Sequence, residues 1–295
     1  MRMENSTRWS DMSLQWYPGH MTSARRMMQE NIKLIDIVIE ILDARIPYSS
    51  RNPDIDDLAK NKFRLIILNK SDMADKAVTD LWIKYYKEKD IACVALDARK
   101  TSSAAKIMTL VSDVCKEKIE RDRKKGILNR PIKAMIVGIP NSGKSTFINS
   151  FAGKSYAKTG NKPGVTRGKQ WIRAGKGMEL LDTPGILWPK FEDQSVGMKL
   201  AITGAINDNI LEMTELSSNL ISYMQKYYCN NLMERYKIDE SMSIETALSQ
   251  VADVRKCIKK GNVPDLDRAA RIIIDDFRSL KLGNISLERP DDIKG

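Results

Sequence analysis

Through roughly its first two thirds the chain alternates short apolar runs with longer amphipathic stretches, and then the pattern changes. Ile35-Asp-Ile-Val-Ile-Glu-Ile-Leu42 is short and rich in β-branched residues, which suits a strand buried on both faces of a parallel sheet. Phe63-Arg-Leu-Ile-Ile-Leu68 and Ile91-Ala-Cys-Val-Ala-Leu96 have the same character, and Ala134-Met-Ile-Val137 and Glu179-Leu-Leu-Asp182 follow. Helical periodicity predicts helices over 22–34, 53–60, 77–87 and 103–120, and another from Ser145 onward. Strand and helix in alternation predict an α/β fold with a doubly wound sheet. From about Ala205 to Lys281 β-branched runs and glycine become sparse and helical spacing takes over. Leu220, Ile221, Met224 and Tyr228 then read as the core of a small all-helical domain. The expected organisation is a flexible tail over 1–12, an α/β domain over 13–204 and a helical domain over 205–295.

The loops at the strand ends carry the chemistry. Gly138-Ile-Pro-Asn-Ser-Gly143-Lys144-Ser145 follows an apolar strand and opens a helix, the full GxxxxGK[ST] pattern in its required context. Its glycines let successive N–H groups turn inward around phosphates, with Ser142, Gly143 and Thr146 among the contacts, and Lys144 adds a cation for the β- and γ-phosphates. Ser145 would give its hydroxyl to Mg²⁺. Asp182-Thr-Pro-Gly185 ends the next strand, where Asp182 can hold Mg²⁺ and the Gly185 N–H can sense a γ-phosphate. Between the two, Thr166 stands in a loop with its own proline and glycine and can complete the Mg²⁺ shell.

Asn69-Lys70-Ser71-Asp72 follows the strand that ends at Leu68. The Asp72 carboxylate can accept from N1–H and the exocyclic amine of guanine, donors that adenine does not offer as a pair, so GTP and GDP are expected and an ATPase is disfavoured. Asn69 would address the N7/O6 edge, and the Lys70 stem would lie over the ring face. The following strand ends at Leu96-Asp97-Ala98-Arg99, where GTPases often carry Ser-Ala-Lys; the Ala98 N–H would contact O6, with Asp97 in place of the serine. The base-reading loop thus precedes the phosphate loop. This is a circular permutation of the usual P-loop GTPase order, which one sheet can accommodate because the same loops still meet at its carboxyl edge. Permutation also sends the chain leaving Gly185 straight toward the helical domain, where a γ-phosphate-dependent motion could be relayed.

Net charge sharpens the picture. The 295 residues carry a formal charge of +11, an excess that nucleotide binding does not need and that points to RNA. Composition is otherwise that of an ordinary soluble protein, and no apolar stretch approaches the roughly 20 residues of a membrane span. Four scattered cysteines without a CxxC pair argue against zinc sites and disulfides, so a reduced cytoplasm is the expected setting. Arg255-Lys-Cys-Ile-Lys-Lys260 sets Arg255, Lys256, Lys259 and Lys260 within about two helical turns, with Gly261 as helix cap, and reads as an RNA-phosphate face unpaired by local carboxylates. Arg268, Arg271 and Arg278 add to it, and Arg121, Arg123, Lys124 and Lys125 form a second basic patch.

The permuted order, Gln15-Trp-Tyr-Pro-Gly-His-Met21, the loops at 69–72, 138–145 and 182–185, Arg268-Ala-Ala-Arg and Asp276-Phe-Arg-Ser-Leu-Lys-Leu-Gly283 together resemble the YlqF-type family of ribosome biogenesis GTPases. The resemblance covers about 13–289. It implies a bacterial factor of late large-subunit (50S) assembly that contacts rRNA and a subunit precursor. Many small GTPases orient the attacking water with a glutamine after DxxG; here Ile186 and Leu187 follow, so another group must help. Related GTPases with asparagine at the place of Asn141 bind K⁺ there, which would stabilise developing charge. His20, the sole histidine, matches the family segment whose histidine is proposed to act in hydrolysis. Two readings remain: a GTPase, expected to act as a monomer, whose hydrolysis the ribosomal particle stimulates, or a GTP-gated RNA-binding module with slow, incidental hydrolysis.

Overall fold

The computed structural model describes residues 18–100, 103–152, 170–175, 177–185, 187, 193–206 and 212–293, with the side chains of 18–24, 103 and 170 left aside. In chain order its elements begin with α1 (Pro18–Asn31), β1 (Ile37–Asp43), α2 (Asp54–Leu58), β2 (Phe63–Asn69), α3 (Lys76–Glu88), β3 (Ala92–Ala95), α4 (Ser103–Val114) and α5 (Lys116–Lys124). They continue with β4 (Ile132–Val137), α6 (Lys144–Ala152), β5 (Gln170–Ala174), β6 (Met178–Asp182) and α7 (Gln194–Ile202). The last are α8 (Met213–Tyr227), α9 (Cys229–Tyr236), α10 (Ile244–Val254), β7 (Ile258–Lys259), β8 (Val263–Pro264) and α11 (Leu266–Arg278).

The main sheet runs β3-β2-β1-β4-β6-β5. Every pair is parallel except β5 with β6. From β1 the chain first builds outward through β2 and β3 and then returns to β4 on the other side, so the topological switch lies between β1 and β4. Register aligns the carboxyl ends: Asp43 lies opposite Asn69, and Ile136 opposite Asp182. Ile37, Ile39 and Ile41 face one apolar layer with α4 and α6, while Leu42, Ile66 and Leu68 face another with Val78, Trp82 and Tyr86 of α3. Both faces are covered, which is why β1 is buried throughout and reads as an uninterrupted apolar run.

Two expected helices need correction, and one strand was not expected. The helix expected over 103–120 divides at Cys115 into α4 and α5. β5 carries no strong strand signal; it is an edge strand, with Trp171 and Ile172 its main apolar content. The basic run 255–260 is not helical, because α10 stops at Val254 and Ile258 and Lys259 pair with Val263 and Pro264 in a short hairpin. Gly261, with φ +88°, sits at the hairpin's tip and caps nothing.

The helices after β6 share one core. Leu216, Leu220, Ile221 and Met224 of α8 pack with Ala269, Ile273 and Phe277 of α11, which confirms the apolar stripe read on α8 as interior. Val196, Leu200 and Ala201 of α7 belong to the same core. Three residues from the other side enter it as well: Ile46 after β1, Ile139 in the loop after β4, and Leu187 after Gly185. The helical unit is therefore seated on the carboxyl edge of the sheet. Among the described residues no helix is long and apolar enough to cross a membrane.

Candidate functional site

Four loops meet at that edge. The segment from Gly138 to Gly143 leaves β4 and enters α6 at Lys144. Asn141 and Gly143 adopt positive φ (59° and 92°), and alternation of left- and right-handed residues turns backbone N–H groups toward a common concavity. Gly143 admits no side chain: a Cβ there would stand 2.1 Å from Asn69 Nδ2. Lys144 is 7% exposed although it carries an ammonium; burial pushes its pKa below the usual lysine range, with the Asp182 charge opposing. A cation with so little solvent favours an anionic ligand. Ser145 and Thr146 fill the first turn of α6, half-buried.

Asn69 ends β2 and connects three loops. Its Nδ2 donates to the Ser142 carbonyl at 2.8 Å, and its Oδ1 accepts from the Ala98 N–H at 2.9 Å. Asn69, expected to address a purine's N7/O6 edge, is 3% exposed and bonds to the protein at both ends of its amide, which leaves one N–H and one lone pair for a base. The Ala98 N–H would have to share that bond in contacting O6.

Lys70 (φ 58°) turns back beneath the loop. Its Nζ donates to Asp43 Oδ2 at 2.9 Å. Arg45 grips the same carboxylate, Nε to Oδ1 at 2.9 Å and Nη2 to Oδ2 at 2.7 Å. Burial would raise the Asp43 pKa, but the two cations overcome it and hold the carboxyl well below the usual range. Burial lowers the Lys70 pKa in turn, while Asp43 opposes. Asp43 and Arg45 escaped the sequence reading; a strand-ending Asp flanked by Arg at i+2 was the available signal. They pin the head of Lys70, which leaves its alkyl stem as the part able to cover a base. Asp72 receives Arg99 Nη2 on Oδ2 at 2.6 Å.

Asp182 ends β6 at 1% exposure, and the Thr183 hydroxyl donates to the Ile136 carbonyl at 2.7 Å. Gly185 lies so close to the phosphate loop that a Cβ would meet Pro140 N at 2.9 Å. Among the described residues no group of three His, Cys, Asp or Glu side chains could hold a metal. A buried carboxylate and a helix-start hydroxyl, Asp182 and Ser145, are instead hard oxygen donors of the kind Mg²⁺ takes when substrate phosphates supply further ligands. Thr166 and Ile186 lie outside the described residues, as does the side chain of His20, whose backbone belongs to α1.

The C-terminal cations divide into two groups. Against expectation, Arg255 is paired: its Nη1 donates to Asp276 Oδ2 at 2.9 Å. Lys259 stands 3.3 Å from both Asp265 and Asp267. Arg278 donates to the carbonyls of Ile202 and Ala201 at 2.9 and 2.7 Å. Lys256 and Lys260 remain exposed.

A doubly wound sheet, a GxxxxGKS loop after β4, a DTPG turn after β6 and an upstream NKSD loop braced through Asn69 onto Ser142 and Ala98 define a circularly permuted P-loop GTPase. The family described as 50S ribosome-binding GTPase matches residues 133–248. Ribosome biogenesis GTPase A of Bacillus cereus is 47% identical over 282 residues, covering 95% of either chain. Mitochondrial ribosome-associated GTPase 1 of Mus musculus is 33% identical, covering 93% of this chain and 90% of that one. The crystal structure of GNP-bound YlqF from Thermotoga maritima is similar at a TM-score of 0.63 and 27% identity, over 92% of this chain and 100% of that one. The chain belongs to the ribosome biogenesis GTPase A family.

Proposed function

We propose that this GTPase acts in late maturation of the bacterial 50S ribosomal subunit in the cytoplasm, as a monomer, with hydrolysis stimulated by the ribosomal particle. The observation that carries the nucleotide half is the Asn69 brace. Base loop, O6 loop and phosphate loop converge on one side chain although the chain visits them in permuted order. The ribosomal half rests on family membership and on the +11 charge.

Asp72 reads the guanine edge, Lys70 covers the ring, and Gly138, Ser142, Gly143, Lys144 and Thr146 hold the phosphates. Ser145, Asp182 and Thr166 would hold Mg²⁺, which would neutralise charge developing in phosphoryl transfer. The Gly185 N–H senses the γ-phosphate. Asn141 would ligate K⁺ through its oxygen, the one end of the amide able to bind a cation, and His20 would aid hydrolysis on docking. Leu187, 3% exposed and packed in the helical core, links the sensing loop to the helical unit. Within 205–295, Lys256 and Lys260 contact rRNA, while Arg255 and Lys259 serve the fold more than the RNA.

The test is GTP hydrolysis in K⁺ with and without purified large-subunit precursors. Strong stimulation is expected. Binding without stimulation would favour the GTP-gated RNA-binding module instead. Trypsin cleavage with GDP and with a GTP analogue tests the relay; equal protection of the helical unit in both would remove it.

A further inference from the structure

The loop after β3 departs from Ser-Ala-Lys at two places, Asp97 and Arg99, and the structure joins the two departures. Arg99 donates from Nε to Asp97 Oδ1 at 2.8 Å and from Nη2 to Asp97 Oδ2 at 3.0 Å. The Arg99 N–H donates to Asp97 Oδ1 at 3.0 Å as well. The same Nη2 reaches Asp72 Oδ2 at 2.6 Å. One guanidinium therefore ties the carboxylate assigned to the base to a carboxylate on the neighbouring loop. Bidentate pairing with Asp97 fixes the plane of the guanidinium, and with it the direction from which Nη2 meets Asp72.

Asp72 is held from the other side too. Asn284, beyond α11, donates from Nδ2 to the Asp72 backbone carbonyl at 2.5 Å. With the backbone fixed and Oδ2 engaged, the remaining oxygen has a set position. That oxygen, Oδ1, is buried and accepts no hydrogen bond among the described residues. A buried acceptor of this kind is costly unless a ligand supplies the donor. An N–H on the edge of a base would do so.

We propose that Arg99 is a specificity-determining positioning residue for guanine: it fixes the rotation of the Asp72 carboxylate so that Oδ1 meets N1–H while Oδ2, shared with Arg99, meets the exocyclic amine. The inference rests on Asp72 as the base reader. Without Arg99 the carboxylate can still turn to meet N1–H, but the second, amine-directed bond loses its fixed acceptor. Inosine, which lacks the amine, depends on the first bond alone. Loss of Arg99 must therefore weaken guanine more than hypoxanthine.

The experiment measures dissociation constants of the full chain for GDP and inosine diphosphate, in the wild type, Arg99→Ala, Arg99→Lys and Asp72→Ala. Arg99→Ala is expected to weaken GDP about 10-fold and inosine diphosphate about 2-fold, narrowing their ratio about 5-fold. Arg99→Lys restores only part of the ratio, because a single ammonium cannot hold two carboxylates in a fixed plane. If Arg99→Ala leaves the ratio unchanged while Asp72→Ala abolishes it, Arg99 only stabilises the loop and the assignment falls while Asp72 keeps its role. If Asp72→Ala also leaves the ratio unchanged, the base-site reading itself falls, and the assignment of Arg99 with it.

Discussion

Asn141 of the phosphate loop donates from Nδ2 to the carbonyl of Gly204, two residues past α7, at 2.7 Å. The GxxxxGKS loop and the helical unit are thus joined by a side chain of the loop itself. Around the same turn, Arg45 reaches the Thr203 carbonyl at 3.5 Å and lies 5.3 Å over the Phe277 ring. Downstream of α11 the Ser286 hydroxyl accepts from the Asp75 N–H at 3.2 Å, and the Leu287 N–H donates to the Arg45 carbonyl at 2.8 Å. The helical unit therefore touches phosphate loop and base loop alike. A shift of either can move it without a dedicated pathway.

Removing the Asn141 amide should loosen that junction. A neutral hydrogen bond contributes about 1 kcal/mol, so local opening should become about five-fold more frequent. In Asn141→Ala, amide hydrogen exchange at Thr203, Gly204 and Ala205 is expected to accelerate by that factor. These N–H groups now bond to Lys199, Ala201 and Leu200. Unchanged exchange would mean that Ile139 packing alone holds the phosphate loop to the helices.

Gly143 gives a sharper steric test. Its φ of +92° disfavours any side chain, and a Cβ would overlap Asn69 Nδ2. Gly143→Ala should cost about 2 kcal/mol or more and abolish GDP binding, because displacing Asn69 frees both Ser142 and Ala98. Gly126 is the control, with φ +75° and nothing within 4 Å of a Cβ. Gly126→Ala should cost only about 1 kcal/mol and leave nucleotide affinity unchanged. Thermal unfolding and fluorescent GDP titration of both variants decide the matter.

The sequence made the loops legible because phosphate and guanine recognition need particular residues at short, fixed spacing. Gly138 to Ser145 and Asn69 to Asp72 are contiguous, and each follows a strand whose apolar run is equally local. What stayed hidden depends on long-range packing. Arg255 looked unpaired because its carboxylate, Asp276, lies 21 residues further on and meets it only when α11 packs against α10. The hairpin at 258–264 escaped because lysines with two apolar residues between them, Cys257 and Ile258, fit a helical turn as readily as a strand. The break at Cys115 adds no proline or glycine; Cys115 is fully buried at the join. Asp43 and Arg45 were passed over because a buried ion pair leaves no periodic trace.

Asp276 is the centre of the hidden network. At 1% exposure, its carboxylate accepts from Tyr236 Oη at 2.6 Å, from Arg235 Nη2 at 2.8 Å and from Arg255 Nη1 at 2.9 Å. Burial would raise its pKa, yet these donors together hold it below the usual carboxylate range. A folded-state pKa depressed in this way adds stability above the unfolded value, near 4, and that stability disappears as pH falls through the folded value. Asp276→Asn should therefore lose about 2 kcal/mol at pH 7, since it removes the charge from a buried carboxylate that the half-buried Arg235 and Arg255 share. The gap to wild type should shrink below about pH 4. Denaturant unfolding at pH 7 and pH 3 measures both, and a gap independent of pH would show that the charge is immaterial.

The same pairing separates two kinds of basic residue in the segment 255–260. A cation that neutralises a phosphate releases counterions, so each contact adds about 0.9 to the slope of log K against log salt on a duplex. A cation already committed to a carboxylate adds little, because the existing pair must be broken first. Lys256 and Lys260 are exposed and form no ion pair among the described residues, whereas Arg255 is held by Asp276. Lys256→Ala with Lys260→Ala should leave the unfolding midpoint near wild type and reduce the salt slope for an rRNA fragment by about 2. Arg255→Ala should do the reverse, lowering stability while the slope barely moves. If Arg255→Ala reduces the slope as much as the double lysine variant, the Asp276 pair opens on binding and the whole segment is the RNA face after all.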